Sequence, residues 1–472
     1  MNLPVDFINY TRQLLGEEAY VRLEEALQQE PPVSIRVNEM KFQTERPASS
    51  VLASSSKVGW CSTGYYLNER PTFTFDPLFH AACYYVQEAS SMFVEQVLRT
   101  YVTQPVVMLD LCAAPGGKST HARSVLPEGS LLVANELIRN RSQVLAENLM
   151  KWGHPEVVIT QNEPADFATL PSFFDVILTD VPCSGEGMFR KDKGAIDEWS
   201  SNNVTICRNR QRDILNHIWD ALKPGGLLIY STCTYNLYED EENVEWLSRQ
   251  FGAEVLPVPV LPEWNTTGNL SGKEFPVYHF FPHRTKGEGF FLAALRKPDA
   301  EYSQERVAVR KLKTKGDKKA AKSQPVPSEC KKYLLHAEAY QWSVHENQVL
   351  AFPLLHQERY LQLCQHLKVI HAGIVVGELK GKDCIPHHSL SMSTDLNKES
   401  FPQASLTYEQ AIAYLRKETV TLGAEVPRGY VLLTYQNIPI GFAKNVGNRA
   451  NNLYPQEWRI RSGYIPEEIR CL

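Results

Sequence analysis

Two cysteines and an aspartate follow the ends of two predicted neighbouring strands. An apolar strand over 175–179 runs directly into Asp180 and, after a proline that disfavours helix, into Cys183. A further apolar strand over 227–230 leads to Cys233. Because the carboxyl ends of parallel strands meet at one edge of a sheet, we expect the three side chains to lie close together.

A glycine turn between a strand and a helix is the second feature with chemical meaning. The segment VVMLDLCAAPGGKST, 106–120, joins a buried apolar strand to a helix start. Glycines there let the backbone approach a nucleotide, although ordinary strand–helix turns also contain them. The spacing is neither G-x-G-x-x-G nor a Walker A loop, which argues against NAD and ATP. The next predicted strand, 131–137, carries Glu136 near its end, where a carboxylate binds ribose hydroxyls. Together the two stretches predict S-adenosylmethionine on a Rossmann-like sheet.

A third predicted strand, 157–160, is followed by Asn162 and Glu163. Polar side chains at this position lie on the ligand side of such a sheet. Either residue is a candidate to hold the adenine amine, and either is equally expected as an ordinary loop residue.

A methyl donor beside two thiols and a carboxylate matches the chemistry of cytosine methylation. C5 of cytosine is too weak a nucleophile to attack a sulfonium methyl group, whereas addition of a thiolate to C6 makes C5 enamine-like. The scheme needs a nucleophilic cysteine with a lowered pKa, an acid at N3 and the exocyclic amine, and a base. A single cysteine is more commonly a small buried apolar residue, so the prediction depends on the combination.

These motifs resemble the RNA cytosine-5 methyltransferase family of the Nol/Nop/Sun type, and most closely its bacterial RsmF branch. The resemblance covers about residues 4 to 297. The matching blocks are SIRVN at 34–38, QEASSM at 87–92, DLCAAPGGKST at 110–120, ANEL at 134–137, DVPCSGEGMFRK at 180–191, STCTYNLYEDEEN at 231–243 and FFPHRTKGEGFFLAALRK at 280–297.

The resemblance implies a role for each site residue. Cys233 is the nucleophile, Cys183 assists release of the product, and Asp180 orients the base. The implied cofactor contacts are Cys112, Ala113, Ala114, Pro115, Gly116, Gly117, Lys118, Glu136, Glu163 and Asp180. The family more usually has Asp at the position of Glu163, so this chain departs from the pattern there.

We predict an α/β protein with a Rossmann-like class I methyltransferase core at 96–298. An N-terminal RNA-binding extension at 1–95 precedes it, and a smaller C-terminal PUA-like region, α+β or all-β, occupies 329–472. Between them, 299–328 is crowded with Lys and Arg and poor in apolar residues, which predicts a flexible basic linker.

Apolar spacing within these regions predicts individual helices. They span 4–29, 139–152 and 214–222. A Lys-Pro-Gly-Gly turn at 223–226 is predicted to close the last of them.

The block GFAKNVGNRANNLYPQEWRIR, 441–461, interleaves cations, amides and aromatic rings, a mixture that suits RNA. The predicted RNA contacts are Lys444, Asn448, Arg449, Tyr454, Trp458 and Arg459, with Arg36 as a phosphate contact in the N-terminal extension. The alternative is a structural tail in which Trp458 packs inside. The block resembles the PUA-like part of RsmF-type enzymes.

Composition limits the remaining classes of function. The net charge of −5 means that nucleic acid must bind to local basic patches. No apolar run is long enough to span a membrane, and the first residues lack a secretory signal. The ten cysteines form no C-x-x-C pairs, which argues against zinc and a disulfide scaffold. We therefore expect a metal-free, cytoplasmic monomer.

The acidic run at 239–242 has two interpretations. Carboxylates in a first helical turn stabilise the helix dipole, which is the interpretation that we favour from sequence. The alternative is that they position the loop of the nucleophile.

Three other functions stay open at this point. The RNA substrate, favoured as small-subunit ribosomal RNA, is alternatively tRNA. A non-catalytic RNA-binding ribosome assembly factor would keep the same fold, although the intact cofactor loop and both cysteines argue against it. A DNA cytosine methyltransferase would use the cysteine at the position of Cys183 as its nucleophile and leave Cys233 idle.

Overall fold

The computed structural model of the protein describes residues 2–42, 50–299, 325–381 and 383–463. Its α-helices are α1 Val5–Leu15, α2 Glu17–Leu27, α3 Ser50–Ala53, α4 Pro77–His80, α5 Val94–Tyr101, α6 Gly117–Val125, α7 Arg139–Trp152, α8 Lys193–Glu198, α9 Ser201–Ile218, α10 Glu241–Phe251, α11 Ser328–Lys331, α12 Gln357–His366, α13 His388–Met392 and α14 Tyr408–Leu415. Its strands are β1 Val33–Val37, β2 Ser56–Lys57, β3 Gly64–Leu67, β4 Tyr84–Val86, β5 Val107–Asp110, β6 Leu131–Asn135, β7 Val157–Thr160, β8 Phe174–Asp180, β9 Leu222–Thr232, β10 Glu254–Leu256, β11 Tyr278–Phe280, β12 Phe290–Arg296, β13 Tyr340–His345, β14 Gln348–Pro353, β15 Val369–Ala372, β16 Ile374–Lys380, β17 Asp383–Pro386, β18 Gln403–Ser405, β19 Gly429–Tyr435, β20 Ile438–Asn445 and β21 Ala450–Asn452.

A mixed sheet forms the centre of the molecule, with strand order β10-β12-β9-β8-β5-β6-β7-β15 and β11 paired to β12. The five strands from β9 to β7 are parallel, and β12 and β15 run antiparallel to their neighbours. The chain enters at β5, builds outward through β6 and β7, and then returns to the other side of β5 with β8. Ligands of such sheets bind at this reversal, outside the carboxyl ends of the strands. The predicted Rossmann-like core is therefore confirmed.

Strand β5 shows why the sheet forms where the apolar run predicts it. All four of its residues are buried, because helices cover both faces of the sheet. Val107 and Leu109 pack into the core on one face, and Met108 packs into the core on the other.

The N-terminal and C-terminal parts share a hydrophobic core. The sheet β2-β3-β1-β4 of the N-terminal extension packs with the sheet β18-β19-β20-β21, and Ile35, Leu67, Leu433 and Ile440 lie in one buried cluster. The hydroxyl of Tyr408 donates a hydrogen bond of 2.9 Å to a backbone carbonyl of the N-terminal extension. The sheet of the N-terminal extension and the sheet β18-β19-β20-β21 are thus packed against each other.

A strand from the C-terminal part completes the central sheet. β15 pairs antiparallel with β7, and the backbone N–H of Lys368 donates to Oδ1 of Asn162 over 2.9 Å. The strands of the fourth sheet, β13-β14-β16-β17, come from segments before and after β15 in the sequence. Because β15 follows the predicted boundary at residue 329 but belongs to the central sheet, this boundary does not divide the central sheet from the C-terminal region.

The predicted linker at 299–328 lies largely outside the described residues, since 300–324 are not among them. Within the described ranges, no helix is both long and apolar enough to cross a membrane.

The helix predictions were partly right. The predicted helix over 139–152 matches α7, and the segment 4–29 holds α1 and α2 with a break at Gly16. The helix predicted over 214–222 was wrong, because α9 already begins at Ser201. The Lys-Pro-Gly-Gly turn lies within β9 rather than at a helix end.

Candidate active site

The two cysteines lie on adjacent loops at the carboxyl edge of the central sheet. β8 and β9 are parallel neighbours whose pairing ends with Asp180 opposite Ser231. The loops that follow emerge side by side, and the Sγ atoms of Cys183 and Cys233 are 3.1 Å apart. The structure thus places together the residues whose proximity the strand ends predicted.

The two thiols have different environments. The hydrogen bond with Cys233 and burial together raise the pKa of Cys183 well above its ordinary value. Cys183 therefore retains its proton, and Cys233 is its partner in a sulfur–sulfur hydrogen bond. The backbone also joins the two loops, since the N–H of Gly187 donates to the carbonyl of Cys233 over 2.8 Å.

Asp180 is held by a hydroxyl and by a lysine. Ser231 Oγ donates to Oδ1 of Asp180 over 2.8 Å, and Lys118 Nζ lies 2.9 Å from Oδ2. Burial would lower the pKa of Lys118, but the carboxylate of Asp180 outweighs it and the pKa lies above its usual value. A third of the Asp180 side chain remains exposed, so the carboxylate can also contact a ligand.

The glycine loop has the geometry that its sequence predicts. Gly116 has φ of +115°, a conformation that side chains rarely adopt, and α6 begins at the next residue. Side chains of α7 hold the carbonyls of the loop. Arg141 donates to Ala114 O over 3.0 Å, and Asn148 donates to Pro115 O over 2.8 Å. The amino end of α6 is thereby presented at the ligand edge of the sheet.

Asp110, which ends β5 just before this loop, was not among the predicted site residues. It is fully buried, and Ser119 Oγ donates to its Oδ2 over 2.6 Å. Its Oδ1 has no hydrogen-bond partner among the described residues, and burial raises its pKa to about 7. An acid at the last position of the strand that precedes a glycine turn is the sequence signal that would have identified it.

The two other acids of the predicted cofactor set differ in exposure. Glu136 is buried, accepts a hydrogen bond of 2.9 Å from the N–H of Ile138, and lies 3.5 Å from Arg141. Glu163 is exposed at the sheet edge. The side chain of Asn162 is instead occupied by the backbone of Lys368, so Glu163 is the better placed of the two for a ligand.

These residues fit S-adenosylmethionine. The carboxylates of Asp110, Glu136 and Asp180 interact electrostatically across one edge of the sheet, which favours a ligand that carries positive charge. Asp110 Oδ1, which has no hydrogen-bond partner among the described residues, offers a contact for a ligand at this edge, and the left-handed Gly116 permits a close backbone approach.

The acidic run at 239–242 corrects the interpretation that we favoured from sequence. Glu239 and Asp240 are fully buried and accept hydrogen bonds from the loops that carry the cysteines. Only Glu241 and Glu242 lie in the first turn of α10. The dipole interpretation therefore fails for the first two acids of the run.

Two of the predicted RNA contacts also need correction. Arg36 is fully buried, donates to Gln87 and to Thr120 of α6, and packs over Trp152, so it supports the glycine loop from behind. Tyr454 is fully buried in the core shared by the two ends of the chain. Neither side chain is accessible to RNA in this structure.

The remaining predicted RNA contacts are partly or fully accessible. Asn448 and Arg449 are exposed, and Lys444 and Arg459 are half-buried. Trp458 is also half-buried, with Lys151 Nζ 4.8 Å from its ring centre. Of this set, Lys444, Arg449 and Arg459 carry positive charge at the surface, and Lys444 also lies 3.8 Å from the carboxylate of Asp383.

Three family models match the chain. They are 16S rRNA methyltransferase RsmB/F at residues 100–296, the N-terminal domain of 16S rRNA methyltransferase RsmF at 3–89, and the methyltransferase RsmF PUA domain at 401–460.

Several curated relatives align with this chain over most of both sequences. Ribosomal RNA small subunit methyltransferase F of Pectobacterium carotovorum subsp. carotovorum (strain PC1) is 30% identical over 97% of this chain and 96% of its own. The protein of that name from Aliivibrio fischeri (strain MJ11) is 32% identical over 92% of each chain. Among solved structures, a methyltransferase homolog protein from Pyrococcus horikoshii is 26% identical, with a TM-score of 0.50 over 62% of this chain and 100% of that chain. NSun6 from Pyrococcus horikoshii, solved with SFG, is 20% identical with a TM-score of 0.52 over 62% of this chain and 98% of that chain, which shows a common fold.

Proposed function

We propose, since this chain belongs to the RsmB/F family of 16S rRNA methyltransferases, that it methylates C5 of a cytosine in small-subunit ribosomal RNA through a covalent cysteine–C6 adduct. The coarser activity, methylation of small-subunit ribosomal RNA with S-adenosylmethionine, follows from the family. The choice of base, the atom and the covalent route are our proposal. With this substrate we expect the chain to act in the cytoplasm, as a single copy.

The observation that carries the proposal is the pair of thiols 3.1 Å apart beside a fixed carboxylate. A methyl transfer to a nitrogen or to a hydroxyl oxygen needs no cysteine. A transfer to the weakly nucleophilic C5 of cytosine needs a thiolate that adds and leaves, and a base that removes a proton. Two sulfurs in contact supply both parts, one that adds to C6 as a thiolate and one that accepts the C5 proton after it has lost its own.

The reaction begins with attack by Cys233. Its thiolate forms a bond to C6, the C5–C6 π electrons move toward C5, and the negative charge spreads over C5 and N3. The carboxylate of Asp180 accepts a hydrogen bond from the exocyclic amine and so orients the base. S-adenosylmethionine supplies an electrophilic methyl group, which C5 then accepts. The Ser231 and Lys118 contacts fix the carboxylate of Asp180 for this role before the base arrives.

Product release requires the second thiol. C5 now carries both the methyl group and its original hydrogen. Once the sulfur of Cys233 is bonded to C6, the hydrogen bond that contributes most to the raised pKa of Cys183 is lost, and Cys183 releases its proton to solvent. The resulting thiolate accepts the C5 proton while the electron pair of the C5–H bond restores the double bond. The bond between C6 and the sulfur of Cys233 breaks, and its electron pair leaves with that sulfur as thiolate.

Trapping of the covalent adduct tests the proposal. Each variant is incubated with 16S ribosomal RNA and S-adenosylmethionine and resolved on a denaturing gel, where a thioether to C6 survives detergent. Cys233→Ala should form no adduct and transfer no methyl group. Cys183→Ala should attack and then stall, so a protein–RNA band should accumulate. Cys364→Ala, which alters an exposed cysteine, is the matched control and should behave as the unaltered protein.

The opposite pattern, an adduct with Cys233→Ala and none with Cys183→Ala, would match the DNA-type route and reverse the assignment. An unaltered protein that binds RNA but transfers no methyl group would support the assembly-factor alternative. Mass mapping of RNA from a strain that lacks the gene separates the ribosomal substrate from tRNA, because only the true substrate loses its methyl group.

A further inference from the structure

Two consecutive acids, Glu239 and Asp240, lie under the loops of the two cysteines. Both side chains are fully buried, which costs free energy unless they are hydrogen-bonded. They precede α10 and follow the Cys233 loop by a few residues. Ser184 beside Cys183 donates to Glu239, and the two threonines beside Cys233 donate to Asp240.

Glu239 holds the loop of Cys183. The backbone N–H of Ser184 donates to its Oε2 over 3.0 Å, and the hydroxyl of Ser184 donates to Oε1 over 2.5 Å. Gln211 of α9 donates to the same Oε2 over 2.7 Å and to the carbonyl of Pro182 over 3.0 Å. The residues immediately before and after Cys183 are thus both tied, directly or through Gln211, to Glu239.

Asp240 holds the loop of Cys233 in the same way. Its Oδ1 accepts a hydrogen bond of 2.6 Å from the hydroxyl of Thr232 and one of 2.9 Å from the hydroxyl of Thr234. These threonines are the residues on either side of Cys233. The other oxygen, Oδ2, faces the ring of His279 at 3.9 Å and has no hydrogen-bond partner among the described residues.

We propose that Glu239 and Asp240 are positioning residues with separate duties: Asp240 places Cys233 for attack, and Glu239 places Cys183 for product release. The inference rests on the covalent route proposed above. Its physical basis is that misplacing a reacting atom by about 1 Å lowers a rate by about a hundredfold. Asp240 fixes the residues on both sides of Cys233, whereas Glu239 fixes those around Cys183 and reaches the Cys233 loop only through Asn236, three residues beyond that thiol. Loss of each acid should therefore slow a different step.

The hydrogen-bond pattern also predicts which conservative changes are tolerated. Burial and the neighbouring Glu241 raise the pKa of Asp240 well above its ordinary value, which favours the neutral carboxyl group. A neutral carboxyl group resembles the amide of asparagine, because each has one carbonyl oxygen that accepts hydrogen bonds. One oxygen accepts both threonine hydroxyls, and Asp240→Asn retains such an oxygen. Glu239 instead uses both oxygens to accept, so Glu239→Gln places an N–H₂ group against a donor and loses at least one of the bonds.

The experiment measures adduct formation and adduct decay under single-turnover conditions. The probes are a 16S ribosomal RNA transcript and the same transcript made with 5-fluorocytidine. Fluorine at C5 cannot leave as a proton does, so the second RNA reports attack alone. The ordinary RNA reports attack and release together.

Glu239→Gln should form adduct on the fluorinated RNA at the unaltered rate, while its adduct on ordinary RNA should persist at least about tenfold longer. Asp240→Ala should form adduct about a hundredfold more slowly on both RNAs without accumulation, and Asp240→Asn should restore most of the rate. Glu242→Gln is the matched control, because this acid lies two residues after Asp240 but is partly exposed and pairs with Arg208. It should match the unaltered protein in both assays.

Equal slowing of attack and release in both variants, or no effect in either, would overturn the inference. If Asp240→Ala fails to fold in a thermal unfolding assay, Thr234→Val removes one of the two donors instead and should slow attack alone. Absence of adduct from the unaltered protein and from Cys183→Ala on the fluorinated RNA would refute the covalent route itself. Adduct with Cys183→Ala but unchanged release in Glu239→Gln would refute only the positioning inference.

Discussion

Charge at the ligand edge is set by three acids, a lysine and an arginine. Asp110, Glu136 and Asp180 interact across this edge. Lys118 pairs with Asp180 over 2.9 Å and Arg141 with Glu136 over 3.5 Å, whereas Asp110 has no ion pair among the described residues. The sulfonium of S-adenosylmethionine carries a positive charge, so an unneutralised carboxylate there stabilises the bound cofactor. The ionisation of Asp110 is therefore expected to influence binding.

Cofactor affinity should depend on pH through Asp110. Burial raises its pKa to about 7, so the carboxyl group is neutral below that pH and charged above it. The charged form attracts the sulfonium, and affinity should therefore rise between about pH 6 and pH 8, by less than about tenfold per pH unit. Calorimetry at several pH values measures this, and Asp110→Asn should flatten the curve. An equal slope in the variant would assign the dependence to another group.

Glu136 should contribute directly to cofactor binding. It is buried at the end of β6, where a carboxylate accepts hydrogen bonds from ribose hydroxyls. Glu136→Ala should weaken S-adenosylmethionine by about 1.5–3 kcal/mol, the range for a hydrogen bond to a charged group. Glu18→Ala on α2, which removes a surface pair with Arg22, is the control and should leave calorimetric affinity unchanged. Unchanged affinity in Glu136→Ala would remove this residue from the site.

At the scale of elements, the turn between β5 and α6 depends on the left-handed backbone of Gly116. Gly116→Ala should destabilise the protein by about 1–2 kcal/mol and also weaken the cofactor, because the turn must shift to relieve the strain. Gly129 has φ of +78° in the turn after α6, away from the site. Gly129→Ala should carry a similar backbone cost without an effect on affinity. Thermal unfolding and calorimetry of both variants separate the two effects, and equal losses of affinity would contradict a specific role of the turn.

The elements of the core were predictable where local signals were strong. Helix α7 shows apolar periodicity and ends at Gly153, so its bounds follow from sequence. Of helix α9, only the last residues, 214–218, fell within the predicted helix, because the preceding part is mostly polar and one of its buried positions is Gln211. That glutamine is buried because it reaches Pro182 and Glu239, and no local pattern reveals such partners. Glu239 and Asp240 likewise resemble a helix start in sequence, because their hydrogen-bond partners in the two cysteine loops cannot be identified from the local pattern.

At the scale of the whole molecule, the three predicted regions share a sheet and a hydrophobic core and are not separate units along the chain. β15 lies more than two hundred residues after β7 in the sequence, yet it pairs with β7 and extends the central sheet. The backbone N–H of Lys368 donates a hydrogen bond to the side chain of Asn162, next to the candidate adenine contact. Pairing of this kind depends on distant segments and was not predictable from sequence. Deletion of 329–472 is therefore expected to damage the core and is a poor test of RNA binding. Point substitutions at the surface are the better test.

Surface substitutions that test RNA binding are best made in the C-terminal region around Lys444. Lys444 borders an open groove of about 460 Å³ together with Lys380 and Tyr430, which come from two different sheets. Its Nζ lies 4.9 Å from the ring centre of Tyr430. A cation beside an aromatic ring in an open groove suits single-stranded RNA, where phosphates and unstacked bases are both available.

Lys444→Ala and Arg449→Ala should each weaken binding of a 16S ribosomal RNA transcript. Each lost phosphate contact should also reduce the slope of log affinity against log salt by roughly one unit, because fewer counterions are released. Tyr454→Phe is the control: this ring is fully buried, so the change removes only a hydroxyl 3.5 Å from His80 and should leave affinity and slope unchanged. Filter binding at several salt concentrations measures both quantities. If the lysine and arginine variants keep the unaltered slope, the basic surface of the C-terminal sheets is structural, and RNA must be held elsewhere on the molecule.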